Sequence, residues 1–207
     1  MNENAKLARD ALLRNKVGSL GVIDFETGGP YVSLANYGLD RKGLPVFLFS
    51  TLARHSKGIA KDARASLLVA EPAAEGDALT GLRASFLGVL KQASADDVKA
   101  AYIKTHPYAS GYADFPDFSF YRLYPETVHV VGGFGKIETF KADDVFGKEA
   151  EIALREAEIG KNEKEIAQIE SELMSPDSNS GGIQEREIEL REKNIVLRRE
   201  ITALKGD

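Results

Sequence analysis

The 207-residue chain contains no cysteine and no continuous apolar run long enough to cross a membrane. Disulfides, thiolate metal sites and thiol catalysis are therefore excluded, and the reducing cytoplasm is the expected compartment. The first residues, MNENAKLARDALLRNKVG, lack the apolar core of a signal peptide. The net charge of −5 disfavours a general nucleic-acid surface, which needs a basic footprint. We expect a cytoplasmic protein that binds neither membrane nor nucleic acid.

Aromatic residues are missing from the last part of the chain, because every Phe and Tyr lies before Gly147. Residues 148–207 hold ten of the 27 Lys and Arg and fifteen of the 32 Asp and Glu, a net of −5. Residues 1–147 are consequently neutral overall. These shifts predict a globular domain over residues 1–146 and a different segment over 147–207.

The front domain shows short apolar segments separated by glycine-rich and polar turns, which predict six or seven strands. Helices are expected over about residues 3–15 and 94–106, the second capped by Ser94. Pro125 is expected to form a turn between the last two strands. The pattern favours a mainly β domain with some α structure, an antiparallel barrel with peripheral helices, over alternating βαβ units.

The stretch FLFSTLARHSKGIAKDARASLLVA places polar residues where a strand ends and a short helix begins. A helix start offers free backbone N–H groups, which suit an anion. Ser50, Thr51 and Ser56 add hydroxyl donors, and Arg54 and Lys57 add cations, so the segment can form a phosphate cradle. A capped helix with a solvated basic face explains the same residues equally well.

The segment FSTLARHSKG resembles the FMN-phosphate segment of the pyridoxamine 5′-phosphate oxidase-like split β-barrel family. In that family a Thr/Ser-rich strand end is followed by a Ser-Arg-Lys-like triplet. The flanking segments, among them LARDALLRNKVGSLGVI, PYVSLAN and DARASLLVAEP, are similar to the haem-utilization branch of the family. The resemblance covers about the first 142 residues.

The resemblance implies a homodimer with FMN in the groove between the subunits. It gives seven candidate cofactor-binding residues: Ser33, Ser50, Thr51, Arg54, His55, Ser56 and Lys57. It also brings Val131 to Gly135 near the groove. The strand PYVSLAN lacks the Arg and Lys of the authentic oxidase, and the oxidase's C-terminal substrate signature is missing. Pyridoxamine phosphate oxidation is therefore not expected.

The three histidines, His55, His106 and His129, all precede the domain boundary. Some haem-utilization relatives take a haem ligand from a C-terminal loop, and this chain has no histidine there. His55 is a ligand candidate within the phosphate segment. His106 is expected at a helix C-terminus, and His129 at a surface or interface position. Their scattered spacing predicts no metal site.

The last sixty residues show apolar positions at seven-residue spacing, which is typical of a coiled-coil seam. These positions are Ile152, Ile159, Ile166 and Leu173, then Ile183, Leu190, Leu197 and Leu204. The loop composition of SPDSNSGG predicts an antiparallel helical hairpin that folds back near residue 178. Asn162 then faces Asn194. The hairpin is expected to pack on the barrel or on another hairpin in the oligomer.

The leading interpretation is an FMN-binding flavoprotein, which would be an oxidoreductase of unknown substrate if it turns over. No side chain stands out as a catalytic acid, base or nucleophile. One alternative is a haem-binding or haem-utilization protein that uses the same dimer groove. The other is an assembly scaffold whose barrel holds no ligand.

Overall fold

The computed structural model describes residues 3–133, 136–173 and 181–206. Its contacts divide the chain into two units, Met1–Ala150 and Glu151–Asp207. Within the described residues, every helix is too short or too polar to cross a membrane. The helices are α1 Glu3–Arg14, α2 Arg54–Lys61, α3 Ala95–Thr105, α4 Asp143–Phe146, α5 Glu149–Leu173 and α6 Gly181–Gly206.

The first unit is built on one curled antiparallel sheet. Its strands are β1 Val17–Ile23, β2 Pro30–Asn36, β3 Gly38–Leu39, β4 Pro45–Ser50, β5 Arg64–Glu71, β6 Leu82–Gln92, β7 Phe118–Gly132 and β8 Ile137–Lys141. They are ordered β2-β1-β5-β6-β7-β4-β3, and β8 also pairs with β7. The two ends of the sheet approach each other where β2 contacts β4. The predicted antiparallel split barrel with peripheral helices is confirmed.

The turn predicted at Pro125 is wrong, because β7 continues through it as one 15-residue strand. The first half of β7 pairs with β4 and the second half with β8. The pairing with β6 shifts register between Leu87 and Gly88, opposite Pro125. A bulge tolerates the missing N–H of proline, so the strand bends without reversing. Strands β3 and β8 were not predicted.

Helix α1 covers the sheet with small side chains, because Ala5, Ala8, Ala11 and Leu12 are each at most 1% exposed. Ser94 occupies the N-cap of α3, as predicted, but its side chain makes no capping hydrogen bond. The backbone oxygen of Ser94 accepts from the N–H of Asp97 over 3.2 Å instead. The negative charges of Asp96 and Asp97 in the first turn complement the partial positive charge of the helix N-terminus.

The second unit is a pair of antiparallel helices, α5 and α6, with the predicted register. One apolar cluster holds Ile152, Ile159, Leu197, Ile201 and Leu204, and a second holds Ile166, Ile169, Leu173, Ile183 and Leu190. Between them, the amide nitrogen of Asn162 donates to the amide oxygen of Asn194 over 2.7 Å. Both amides are buried. The facing asparagine pair is confirmed.

Candidate ligand-binding surfaces of the barrel

The predicted phosphate segment joins β4 to α2, where the chain turns from Ser50 to Arg54. Ser50 Oγ donates to Asp117 Oδ2 over 2.8 Å, and Ser56 Oγ donates to the backbone oxygen of Ser50 over 2.7 Å. Ser56 is buried. Both hydroxyls are therefore engaged within the chain, and the carboxylate of Asp117 lies in the same corner.

Arg54 is bound to two carboxylates of the β1–β2 loop. Its Nε lies 2.6 Å from Asp24 Oδ2, and its terminal nitrogen lies 2.9 Å from Glu26 Oε2. The hydrogen bonds from Arg54, with one from the backbone of Thr27, hold the pKa of Asp24 well below its usual range. The guanidinium also lies 5.5 Å from the centre of the Phe25 ring. Arg54 fastens this loop to α2, so its charge is already neutralised.

Thr51, Arg54 and Lys57 are the predicted phosphate ligands that are exposed, and of these Arg54 is held in ion pairs. The backbone N–H of Thr51 donates to the backbone oxygen of Asp117 over 2.7 Å. Lys57 Nζ lies 5.6 Å from the centre of the Phe25 ring. Over the described ranges Lys57 forms no ion pair. This corner therefore presents one cation and one hydroxyl to an anion, rather than two cations and three hydroxyls.

His55 and Ser33 meet where the two ends of the sheet approach. Ser33 Oγ lies 3.3 Å from His55 Nδ1, and the imidazole packs against Phe49 with ring centres 4.4 Å apart. His55 Nε2 is shielded from solvent and has no partner among the residues described. Burial lowers the pKa of His55 below its ordinary value of 6.5. The imidazole is half-buried, and burial favours its neutral form.

A second surface, which was not predicted, lies on the outside of the sheet. We call it the outer face, and it consists of two rows of outward side chains across neighbouring strands. One row holds Val32, Gly21, Ser66, Leu87 and Thr127, and the other holds Leu34, Ser19, Leu68, Ser85, His129 and Thr139. Lys141 of β8 continues the first row beyond Thr127, and across β2, β1, β5, β6 and β7 neither row holds an Asp, Glu, Lys or Arg. Val32 is 64% exposed and Leu34 is 78% exposed.

The outer face contains a trough of about 540 Å³. Its lining residues are Gly21, Val22, Ile23, Pro30, Val32, Arg64, Ala65, Ser66, Leu87, Gly88, Val89, Glu126 and Thr127. Gly21 helps to form its floor, since a Cβ at that position would lie 2.7 Å from Ser66 Oγ. Charges in the lining come from Arg64 and Glu126 alone. The sequence signal was the alternation of small and apolar residues along β1, β2 and β5.

The remaining two histidines have different surroundings. His106 forms the C-cap of α3, as predicted, and its Nε2 lies 2.9 Å from the backbone oxygen of Tyr37. His129 lies on the outer face, and its Nδ1 is 2.7 Å from Thr139 Oγ1. Among the described residues, no group of three His, Asp or Glu side chains is placed to hold a metal ion. Phe134 and Gly135, predicted near the groove, lie outside the described residues.

The fold and these surfaces define a split β-barrel protein. A protein related to general stress protein 26, of the pyridoxinephosphate oxidase family from Clostridium acetobutylicum, superposes with a TM-score of 0.54 at 16% identity. That match covers 69% of this chain and 96% of the other. The family model described as CREG, beta-barrel matches residues 1–147, and the chain belongs to this family.

Two more similar proteins carry haem in their names. The heme binding protein from Mycobacterium smegmatis has a TM-score of 0.65 at 31% identity, covering 70% of this chain and 60% of that one. The non-canonical heme oxygenase HOZ, chloroplastic, from Arabidopsis thaliana is 34% identical over 125 residues. That alignment covers 59% of this chain and 37% of the oxygenase. The predicted resemblance to the split-barrel group with haem-utilization members is confirmed.

Proposed function

We propose that this protein binds haem on the outer face of its barrel. The trough of about 540 Å³ with an uncharged floor is the observation that carries the proposal. Ligand pockets of this size are lined mainly by apolar groups, with few polar groups at defined places. A flat, largely apolar macrocycle matches such a surface. The names of the Arabidopsis and mycobacterial relatives support the same ligand class.

The residues around the trough fit the two ends of a haem molecule. Val32, Leu87 and Gly21 provide apolar or open surface for the macrocycle. Cations for the propionates stand at the edges of the uncharged floor. Arg64 lines the trough while paired with Asp62, and exposed Lys141 is in register with Thr127. When bound, haem supplies iron redox chemistry, and the residues of this chain bind and orient it.

The same face supports a homodimer through the barrel. Val32, Leu34 and Leu87 are exposed by 42–78% in a contiguous uncharged patch, and soluble monomers rarely leave large patches of this kind in water. A second barrel placed over the patch would bury these side chains and enclose the trough. The dimer, the location of the hairpin and the cytoplasmic location remain proposals; the Arabidopsis relative is chloroplastic by name.

FMN binding is the second candidate function. Exposed Thr51 and Lys57, beside Ser33 and His55, support a phosphate corner, and the split-barrel fold is shared with an oxidase-family protein. The engaged Arg54 and the nearby Asp117 weaken this candidate, because both reduce the attraction for a phosphate dianion. Lys57→Glu should lower FMN affinity if the corner binds phosphate. Unchanged FMN affinity in this variant would count against the corner.

A haem titration of the purified chain tests the leading proposal. We expect hemin to give a saturable Soret band with the wild type. Val32→Glu should abolish saturable binding, because it places a carboxylate on the trough floor. Leu13→Glu is the matched control, since Leu13 is 59% exposed on α1, and it should bind as the wild type does. Equal haem affinity of Val32→Glu and the wild type would refute the proposal. A yellow purified protein that shows flavin absorption and does not bind hemin would favour the second candidate.

A further inference from the structure

The three histidines differ in how available their ring nitrogens are to a ligand. His106 is 4% exposed, and its two nitrogens lie near the Tyr37 backbone oxygen at 2.9 Å and the Tyr108 hydroxyl at 3.3 Å. His55 is held by Ser33, and its other nitrogen is sealed from solvent. Neither histidine can reach a metal ion in a surface-bound cofactor without a rearrangement of the core.

His129 is the exception. Its neighbours Val128 and Val130 are fully buried, so the alternation of β7 directs the His129 side chain to the outer face. Its Nδ1 lies 2.7 Å from Thr139 Oγ1 on β8, and its Nε2 has no partner among the residues that the structure describes. Its neighbours in the same row, Ser85 and Thr139, are uncharged. A nitrogen with a free lone pair on an apolar surface is a suitable ligand for haem iron.

Thr139 can orient this ligand. When Nδ1–H donates to Thr139 Oγ1, the ring is held in the tautomer that leaves the Nε2 lone pair free. Metal-binding histidines generally donate their second ring N–H to an oxygen, which fixes the ring and raises its basicity. Thr139 pairs directly with His129 in the β7–β8 register, so the pairing of the two strands places their side chains next to each other.

We infer that His129 Nε2 is the protein ligand to the haem iron and that Thr139 positions it. This inference rests on the proposed haem-binding function and names the residue that would coordinate the haem iron. His129 lies beside the trough. On β7 it is two residues from Thr127, which lines the trough, and on β6 its partner Ser85 is two residues from Leu87, which also lines the trough. A macrocycle centred on His129 would extend over the trough.

The test titrates hemin into the full chain and records absorption and ferrous resonance Raman spectra. The wild type should show a saturable Soret band and an Fe–N(His) stretching band. His129→Ala should lose that band and at least about tenfold in affinity, and free imidazole should restore the coordination. Leu13→Glu, at an exposed position on α1, is the control and should keep the wild-type spectrum. Thr139→Val should keep bound haem but shift the Fe–N(His) band.

The outcomes separate the two levels of the proposal. An Fe–N(His) band that persists in His129→Ala overturns the ligand assignment, whereas loss of that band together with weakened hemin binding in Val32→Glu supports both the ligand and the outer-face function. An unchanged Fe–N(His) band in Thr139→Val overturns the positioning role. A wild-type chain that takes up no hemin overturns the proposed function and the ligand assignment together.

Discussion

The buried asparagine pair of the helical hairpin allows a sharp energetic prediction. Asn162 and Asn194 are 4% and 7% exposed, and one hydrogen bond of 2.7 Å joins them between two apolar clusters. Replacing Asn162 alone with Leu leaves a buried amide without its partner. Replacing both removes the polar layer and extends the apolar seam. The single and the double substitution should therefore have opposite consequences.

The magnitudes follow from burial. An orphaned buried polar group costs about 1–3 kcal/mol, whereas replacing both partners by apolar groups is close to neutral or stabilising. In a unit of this size each kcal/mol shifts the thermal midpoint by about 4–8 °C. Asn162→Leu should lower the midpoint of the hairpin by about 5–20 °C. The double variant should match or exceed the wild type, which gives a coupling free energy of about 2 kcal/mol or more.

The assay exploits the distribution of aromatic residues, because every Phe and Tyr lies before Gly147. Tyrosine fluorescence therefore reports on the barrel alone, while far-ultraviolet circular dichroism is dominated by the long helices of the hairpin. A thermal scan of the full chain that follows both signals separates the two units. Asn162→Leu should shift the dichroism midpoint and leave the fluorescence midpoint unchanged.

Specificity gives the second readout. An asparagine layer penalises slipped registers, in which an amide would face a leucine. The double Leu variant should thus gain stability but lose uniqueness, and size-exclusion chromatography with light scattering should find a broader distribution of species. Equal destabilisation by the single and double substitutions would refute the reasoning, because it would mean that the two amides are not energetically coupled.

Two further predictions concern the barrel. Gly88→Ala should lower the free energy of unfolding of the barrel by about 3 kcal/mol or prevent folding, because the new Cβ would overlap the backbone oxygen of Tyr124. Gly111→Ala is the control, because a Cβ at Gly111 would have no atom within 4 Å. Equal urea midpoints for the two variants would contradict the clash at Gly88. Partial burial lowers the pKa of His55 in the folded state. The stability that neutral His55 contributes is therefore complete above its ordinary pKa of 6.5 and is lost as the pH falls through its folded-state pKa. His55→Gln should flatten this acid-side loss in urea titrations, and an unaltered pH dependence would contradict the burial argument.

The sequence was most informative for the helical hairpin, where residue spacing along the chain largely determines the contacts. Along α5 and α6, seven-residue spacing and one short loop determine which residues meet, so both the register and the Asn162–Asn194 contact could be deduced by counting. Strands β1, β2, β4 and β5 followed from alternation and flanking turns. The long strand β7 did not, because a proline inside a strand and a proline in a turn look alike until the partner strand is known. Only the pairing with Gly88 distinguishes them.

The phosphate corner shows a different limit of sequence reasoning. Its hydroxyls and cations are neighbours in the chain, so their proximity was predictable. The carboxylates that engage them are not neighbours: Asp24 and Glu26 lie about 30 residues before Arg54, and Asp117 lies 67 residues after Ser50. A local motif indicates which donors are present. It cannot indicate which distant acceptors already occupy them.

The outer face required the sheet topology as well. Alternation along each strand shows which residues share a side, but the uncharged patch exists only because β2, β1, β5, β6 and β7 are adjacent in that order. The same topology sets what each of the two candidate ligands must compete with. A phosphate dianion at the corner must compete with Asp117 for Ser50 and with Asp24 and Glu26 for Arg54. A propionate on the outer face would compete with Asp62 for exposed Arg64, but the apolar part of the ligand removes exposed Val32 and Leu34 from water, which favours binding there.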